Sequence, residues 1–174
     1  DWERRVERAR YEADRAGRAF APGTDPAPQM KNVTWALGMA ATIHLRRGDD
    51  EAAINAFREQ ARISEVLDDW ETLQFALGSQ AKVLQRRGEL DRALELLQRV
   101  EQLCRDSGQA HGEALALADQ AVIRANTGDP HGAIALLRRG IGIAAQAGLD
   151  DLGHSMRTLL GEIEAAEPGA GGPV

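Results

Sequence analysis

The chain repeats itself with a period of 40 residues, and this period constrains the fold more than any other feature of the sequence. A stretch that starts at Leu37 recurs at Leu77 and at Leu117. Every copy places an alanine four residues after the leucine, and a glycine followed by an acidic residue eleven residues after it. Because a fixed period of this size is the signature of stacked structural repeats, we expect a repeat architecture.

The composition favours α-helices in each repeat. Ala, Leu, Glu and Arg are abundant and lose little entropy in a helix, whereas aromatic residues make up only 4% of the chain. The turns at Gly48, Gly88 and Gly128 are short, so that consecutive helices should form antiparallel hairpins. The sequence therefore predicts an all-α fold, a right-handed α-solenoid of antiparallel helix hairpins with about eight helices and a terminal capping helix.

Turn residues set the predicted helix boundaries. Glycine is favoured just past a helix end, where the backbone turns left-handed, and Asp129 before Pro130 is a strong signal for a helix start. Asp68 occupies the place that Gly108 and Gly148 hold in the later hairpins. The predicted helices cover residues 1–19, 32–47, 50–66, 71–87, 90–107, 111–127, 130–147 and 150–166.

These helices are predicted to form one domain over residues 1–166. A helix over residues 1–19 precedes a loop over 20–31, whose prolines between residues 21 and 29 oppose a helix. Repeats of about 32–70, 71–110 and 111–149 follow, and a capping helix over 150–166 closes the array. Residues 167–174 are rich in Gly and Pro and are predicted to be a disordered tail.

Small residues at matching positions of each hairpin indicate close contact between its two helices. A larger side chain at these positions would push the helices apart. We expect six alanines to be buried, namely Ala41, Ala81 and Ala121 in the first helices and Ala53, Ala93 and Ala133 in the second helices.

Several classes of function are disfavoured by the sequence. A net charge of −6 with interspersed acidic and basic residues argues against a nucleic-acid surface, and no apolar run is long enough to cross a membrane. The single Cys104 and four isolated histidines predict no disulfide, no metal site, no cofactor and no catalytic residues. With no visible signal peptide and no initial methionine, we expect a cytoplasmic segment of a longer protein.

The repeat resembles the tetratricopeptide repeat. The matching residues are Ala81, Gly88, Glu89, Leu90, Ala93 and Leu97, with their copies 40 residues away. This long form is similar to the repeats of kinesin light chain and of bacterial signalling ATPases, and the motif over residues 77–81 looks especially like the bacterial type. The resemblance implies a protein-binding scaffold, the sensor or interaction region of a larger bacterial signalling or regulatory protein.

The sequence departs from two known binding modes of that family. A carboxylate clamp for chaperone tails uses Lys and Asn, whereas the corresponding places here include Gly38, Thr42 and Ser79. The inner-face Asn of kinesin-light-chain-like repeats is replaced by Met39, Ser79 and Asp119. Neither of these ways of holding a peptide is therefore expected.

First helices of stacked hairpins line the concave side of the array, so the stripe opposite the core is the expected binding surface. The candidate partner-binding residues on this stripe are Trp35, Met39, Thr42, Arg46, Phe75, Ser79, Lys82, Arg86, Asp119 and Asn126. Two interpretations of Trp35 and Phe75 remain open: they anchor a partner, or they fill gaps between repeats. Arg46 and Arg86 lie in last helical turns, where cations are favoured in any case.

The function predicted from these patterns is non-catalytic binding of a protein or peptide partner, or of another domain of the same chain. The alternative is a self-association scaffold that forms a homo-oligomer through the helix over residues 1–19. Neither interpretation includes a nucleic-acid or membrane partner.

Overall fold

Residues 27–166 of the chain are described by the structure, a computed structural model. Within this range lie seven α-helices and no β-strand: α1 (Ala27–Arg46), α2 (Asp50–Val66), α3 (Trp70–Arg86), α4 (Leu90–Asp106), α5 (Ala110–Asn126), α6 (Pro130–Gln146) and α7 (Asp150–Ala166). The prediction of about eight helices included one over residues 1–19, which lies outside the described residues, as does the predicted tail over 167–174.

The chain divides into two compact units, one up to Val83 and the other from Leu84. In the first unit α1 packs against α2, and in the second unit α4, α5 and α6 each pack against the next helix in the sequence. Contact between sequence neighbours is the packing of a helical repeat. The all-α repeat fold predicted from the 40-residue period is thereby confirmed.

Helix ends follow the predicted turn residues, to within one residue at every end except the start of α1. Gly48, Gly88 and Gly128 have positive φ, and each is followed by an acidic residue whose N–H donates to the carbonyl five residues earlier at 2.9–3.0 Å. Asp68 makes the same kind of turn with a φ of 51° and is the only non-glycine residue with positive φ among the described residues. Aspartate tolerates this conformation better than most side chains do.

The first helix begins earlier than predicted. α1 starts at Ala27 rather than near residue 32, so the predicted loop over 20–31 is wrong in its last residues. The reason is Pro28, which lies in the first turn of α1, where its missing N–H would have had no partner within the helix. Pro28, which was predicted to interrupt a helix, therefore lies in the first turn of one.

The predicted alanines lie in the core. Ala41, Ala53, Ala81, Ala93, Ala121 and Ala133 are all buried, with at most 1% of their surface exposed. In the second unit Ala121 and Ala133 pack in one cluster with Leu137 and Met156, so the small residues lie where two helices meet larger side chains. Close helix approach at these sites is the geometry that the small residues predicted.

Candidate functional site

A cleft of about 420 Å³ lies in the first unit and is lined by residues of α1, α2 and α3. Four of the predicted binding residues line it, because their spacing along α1 places Trp35, Met39 and Thr42 on one side of the helix, and Phe75 reaches the cleft from α3. The other lining residues are Thr34, Gly38, Gln60, Glu71 and Thr72.

The cleft exposes large apolar side chains. Trp35 is 71% exposed and Phe75 is 56% exposed, and Met39 is also exposed. The Phe75 ring packs edge-on against the buried ring of Phe57, with 6.1 Å between ring centroids. Most of Trp35 is therefore exposed to solvent, whereas Phe75 packs on the core beneath it and still presents much of its ring to solvent.

Gln60 of α2 places a buried amide at this cleft. Its side chain is only 3% exposed, and its Nε2 donates a hydrogen bond of 2.9 Å to the carbonyl oxygen of Thr34. Its Oε1 accepts no hydrogen bond within the described chain. An unpaired buried carbonyl destabilises the fold by roughly 1–3 kcal/mol.

Gly38 of α1 makes room for that amide. A Cβ atom at this position would lie 2.8 Å from Gln60 Nε2, closer than side chains tolerate. Thr42 is one turn further along, and its hydroxyl donates to the Gly38 carbonyl at 2.9 Å rather than pointing a free hydroxyl at a ligand. The sequence predicted Thr42 as a contact residue, but it gave no signal for Gln60.

The remaining predicted residues do not line this cleft. Arg46, Lys82 and Arg86 are exposed, and Ser79 and Asp119 are partly buried. Asn126 lines a different cleft of about 410 Å³ in the second unit, whose walls also include Val122, Leu159 and Ile163. The structure therefore brings four of the ten candidates together in one cleft and places a fifth in another.

The second unit contains an ionic cluster around the buried Glu101, which the sequence analysis did not predict. Glu101 of α4 is 8% exposed, and its carboxylate accepts hydrogen bonds from Arg105, from Arg139 Nη2 at 2.6 Å and from Gln120 Nε2 at 2.7 Å. Arg105 Nε and Arg139 Nη2 each also donate to Glu113 Oε1 at 3.1 Å. The cluster joins α4, α5 and α6. Its sequence signals were the i, i+4 spacing of Glu101 and Arg105 and a glutamine at the same place in two repeats, Gln80 and Gln120.

The electrostatics of this cluster indicate a structural role. Burial alone would raise the pKa of Glu101, but hydrogen bonds from Gln120 and Arg139 and the positive charges of Arg139 and Arg105 lower it below its usual value. Glu101 therefore stays ionised near neutral pH. A carboxylate held in this state is poorly suited to act as a general acid or base at that pH.

Cys104 carries an unreactive thiol. Cys104 is completely buried, and burial, with a smaller contribution from the charge of Glu113, raises the pKa of its thiol to about 11. Such a thiol is unreactive near neutral pH. Among residues 27–166, no group of three His, Cys, Asp or Glu residues is placed to hold a metal ion.

Among residues 27–166, no helix combines the length and apolar character needed to span a bilayer. Comparison with protein-family models gives a match. A family model described as "Tetratricopeptide repeat" matches residues 76–110, which include much of α3 and all of α4. No curated protein matches the chain. The match agrees with the resemblance inferred from the repeat motif and with the helix hairpins of the structure.

Proposed function

We propose that this chain, a tetratricopeptide-like helical-repeat protein, is a non-catalytic scaffold that binds a protein or peptide segment in the cleft of its first unit. One observation carries the proposal: Trp35, Met39 and Phe75 expose large apolar surfaces around a single cleft. Exposed apolar clusters of this kind are typical of interaction sites, and Trp is among the commonest anchor residues in protein interfaces.

The volume of the cleft suits one or two side chains of a bound segment. Pockets of several hundred Å³ are typical of ligand sites, and an apolar side chain between Trp35 and Phe75 would remove both rings from water. Glu71 and Thr72 add polar groups to the cleft lining. An apolar anchor with polar flanking groups is therefore the favoured ligand.

The bacterial signalling context is part of the same proposal. Its support is the residue pattern at 77–81, which resembles repeats in bacterial signalling ATPases. In that setting the partner is either a separate protein or another domain of the same polypeptide.

Peptide selection from a displayed random library tests the proposal directly. The selected peptides are labelled, and their affinity is measured by fluorescence polarisation for the native chain, for Trp35→Ala and for Phe75→Ala. Leu115→Ala is the matched control, because Leu115 lies 40 residues after Phe75, is exposed and belongs to the second unit. We expect each aromatic variant to lose at least about tenfold in affinity and the control to bind normally.

Two results would contradict the proposal. One is a selection that enriches no peptide, and the other is a peptide whose affinity is the same for the native chain and for Trp35→Ala. Because Trp35 is mostly exposed, its truncation should leave the helix content and the Tm almost unchanged, whereas Phe75→Ala also removes the ring contact with Phe57 and should lower the Tm. Far-UV circular dichroism checks both.

A further inference from the structure

The side of α1 that carries Ala36, Ala40 and Ile43 is exposed or partly exposed although these residues are apolar. Together with Val33, which lies at its edge and packs against the buried cluster of Met30, Ile63 and Val66, we call it the outer face of α1. Their spacing of three or four residues places them on one stripe of the helix. Ile43 is 46% exposed, Ala36 is exposed, and Val33 and Ala40 are partly exposed. This stripe lies beside the cleft residues but does not line the cleft.

The equivalent stripe of α5 is covered. Two periods of 40 residues separate the stripe of α1 from its equivalent in α5. The equivalent residues of α5 are all covered, and in the same order they are Glu113, Ala116, Gln120 and Ile123. Ala116 and Ile123 are 2% and 0% exposed, respectively.

The preceding helix, α4, packs on this stripe of α5. Glu113 and Gln120 form hydrogen bonds to Arg105 and Glu101 of α4. In the repeat pattern, this stripe is therefore where the helix before the first helix of a hairpin packs. No described helix precedes α1, so its stripe lacks that cover within residues 27–166.

The sequence just before α1 matches the missing element. When Gly17 is aligned with Gly108, which ends α4, Val6, Ala9 and Ala13 fall on the positions of three buried α4 residues. Those three residues are Leu97, Val100 and Cys104, which are 2%, 5% and 0% exposed. The segment thus places apolar residues where a covering helix needs them.

We propose that residues 1–19 of the same chain form a helix that covers the outer face of α1. Residues 20–26 connect this segment to α1, and seven residues can span about 25 Å, more than the 8–10 Å between packed helices. A tether of this length gives an effective concentration in the millimolar range, so contact within the chain is favoured over contact with a second copy in dilute solution.

Cross-linking between engineered cysteines tests this packing in the full chain. The alignment pairs Arg10 with Glu101 and Ala40 with Gln120, and the latter two are hydrogen-bonded, so Arg10→Cys and Ala40→Cys should lie close together. Both changes are made together with Cys104→Ala, which removes the native thiol, because alanine stands at the equivalent position 144. The probe is a short bis-maleimide at micromolar protein concentration.

The control pair is Arg10→Cys with Lys31→Cys, because Lys31 is exposed on the opposite side of α1. We expect rapid cross-linking within one chain for the Ala40 pair and little for the control pair. Cross-linked dimers, which would show a second copy on this face, would overturn the proposal, as would equal reaction of the two pairs or no reaction of either.

A pair of substitutions provides an independent measurement. Val6→Ser should lower the Tm of the full chain, because Val6 aligns with buried Leu97, whereas Glu7→Ser should leave it unchanged, because Glu7 aligns with exposed Gln98. The Tm is followed by tryptophan fluorescence, since all three tryptophans lie at or before residue 70. A Val6→Ser variant with the Tm of the native chain would overturn the proposal.

Discussion

Each unit buries a polar side chain on the second helix of a hairpin, and the two side chains are satisfied to different degrees. In the second unit, Glu101 accepts hydrogen bonds from Gln120, Arg105 and Arg139. In the first unit, Gln60 donates one hydrogen bond to the Thr34 carbonyl, and its own carbonyl oxygen accepts none within the described chain.

This difference separates a framework from a candidate site. A fully paired polar cluster fixes the relative position of the helices that contribute to it, because moving any member breaks several bonds. A half-paired polar group is unfavourable in the folded protein and fixes its neighbours less firmly. Gln60 lies beside the exposed Trp35 and Phe75, so the weaker polar packing is found at the candidate site.

The largest expected effect comes from breaking the Glu101 cluster. Glu101→Ala leaves Gln120 Nε2 without its acceptor and deprives Arg105 and Arg139 of one partner, so we expect a loss of about 2–3 kcal/mol in the free energy of unfolding. Urea titration followed by far-UV circular dichroism measures it, with Glu95→Ala at an exposed site of α4 as the control. A loss equal to that of the control would show that the cluster does not hold the helices together.

The next effect compares the two buried glutamines directly. Gln120→Met removes a hydrogen bond to a buried carboxylate and should destabilise the chain by about 1–2 kcal/mol. Gln60→Met removes a hydrogen bond but at the same time removes an unpaired buried oxygen, so it should change the stability by less than about 0.5 kcal/mol. The same urea titration applies to both variants. Equal losses would mean that Gln60 is as well satisfied as Gln120.

Substitution of two glycines that lie 40 residues apart, Gly38 and Gly78, should change the stability by a smaller amount. Gly78→Ala should stabilise α3 by up to about 1 kcal/mol, because a Cβ there meets no atom within 4 Å and alanine favours helix. Gly38→Ala should gain less or lose stability, because the new Cβ displaces the amide of Gln60. Melting curves of both variants measure the difference, and equal stabilisation would show that Gln60 moves aside without loss.

The smallest effect is the pH dependence of the second unit. The pKa of Glu101 is lower in the folded than in the unfolded chain, so its contribution to stability is fully present above the unfolded pKa. That contribution is lost as the pH falls through the folded value, that is, in the acidic range below about pH 5. Glu101→Gln should therefore show a weaker loss of stability between pH 6 and pH 3 than the native chain in urea titrations. Identical pH profiles would contradict the ionic role of Glu101.

Features repeated along the chain could be predicted from the sequence, because a repeat gives several observations of one position. The glycines at 48, 88 and 128 predicted the helix ends, and the matching place of Asp68 predicted its turn. The alanine positions predicted the core for the same reason. The start of α1 was missed because Pro28 has no counterpart in the later repeats.

The candidate site was predictable only in part. Helical spacing brought Trp35, Met39 and Thr42 onto one side of α1, but Gln60 reaches the cleft from α2 and no local pattern marks it. Likewise, Glu101 meets residues from two other helices, and only packing decides which arginines reach it. Polar contacts between helices depend on the tertiary structure, and the periodicity of the sequence does not predict them.

The turns at Gly48, Gly88 and Gly128 share one geometry, with the residue after each glycine donating to the carbonyl five positions earlier. Because the turns have the same geometry, one can replace another. A 40-residue segment that begins and ends at two of these turns could therefore be duplicated or deleted, and the chain would rejoin in the same turn geometry. An array of this kind can change its length by whole modules during evolution while the local chain path at each junction is preserved. Protein engineers could use the same cut points to lengthen or shorten the scaffold.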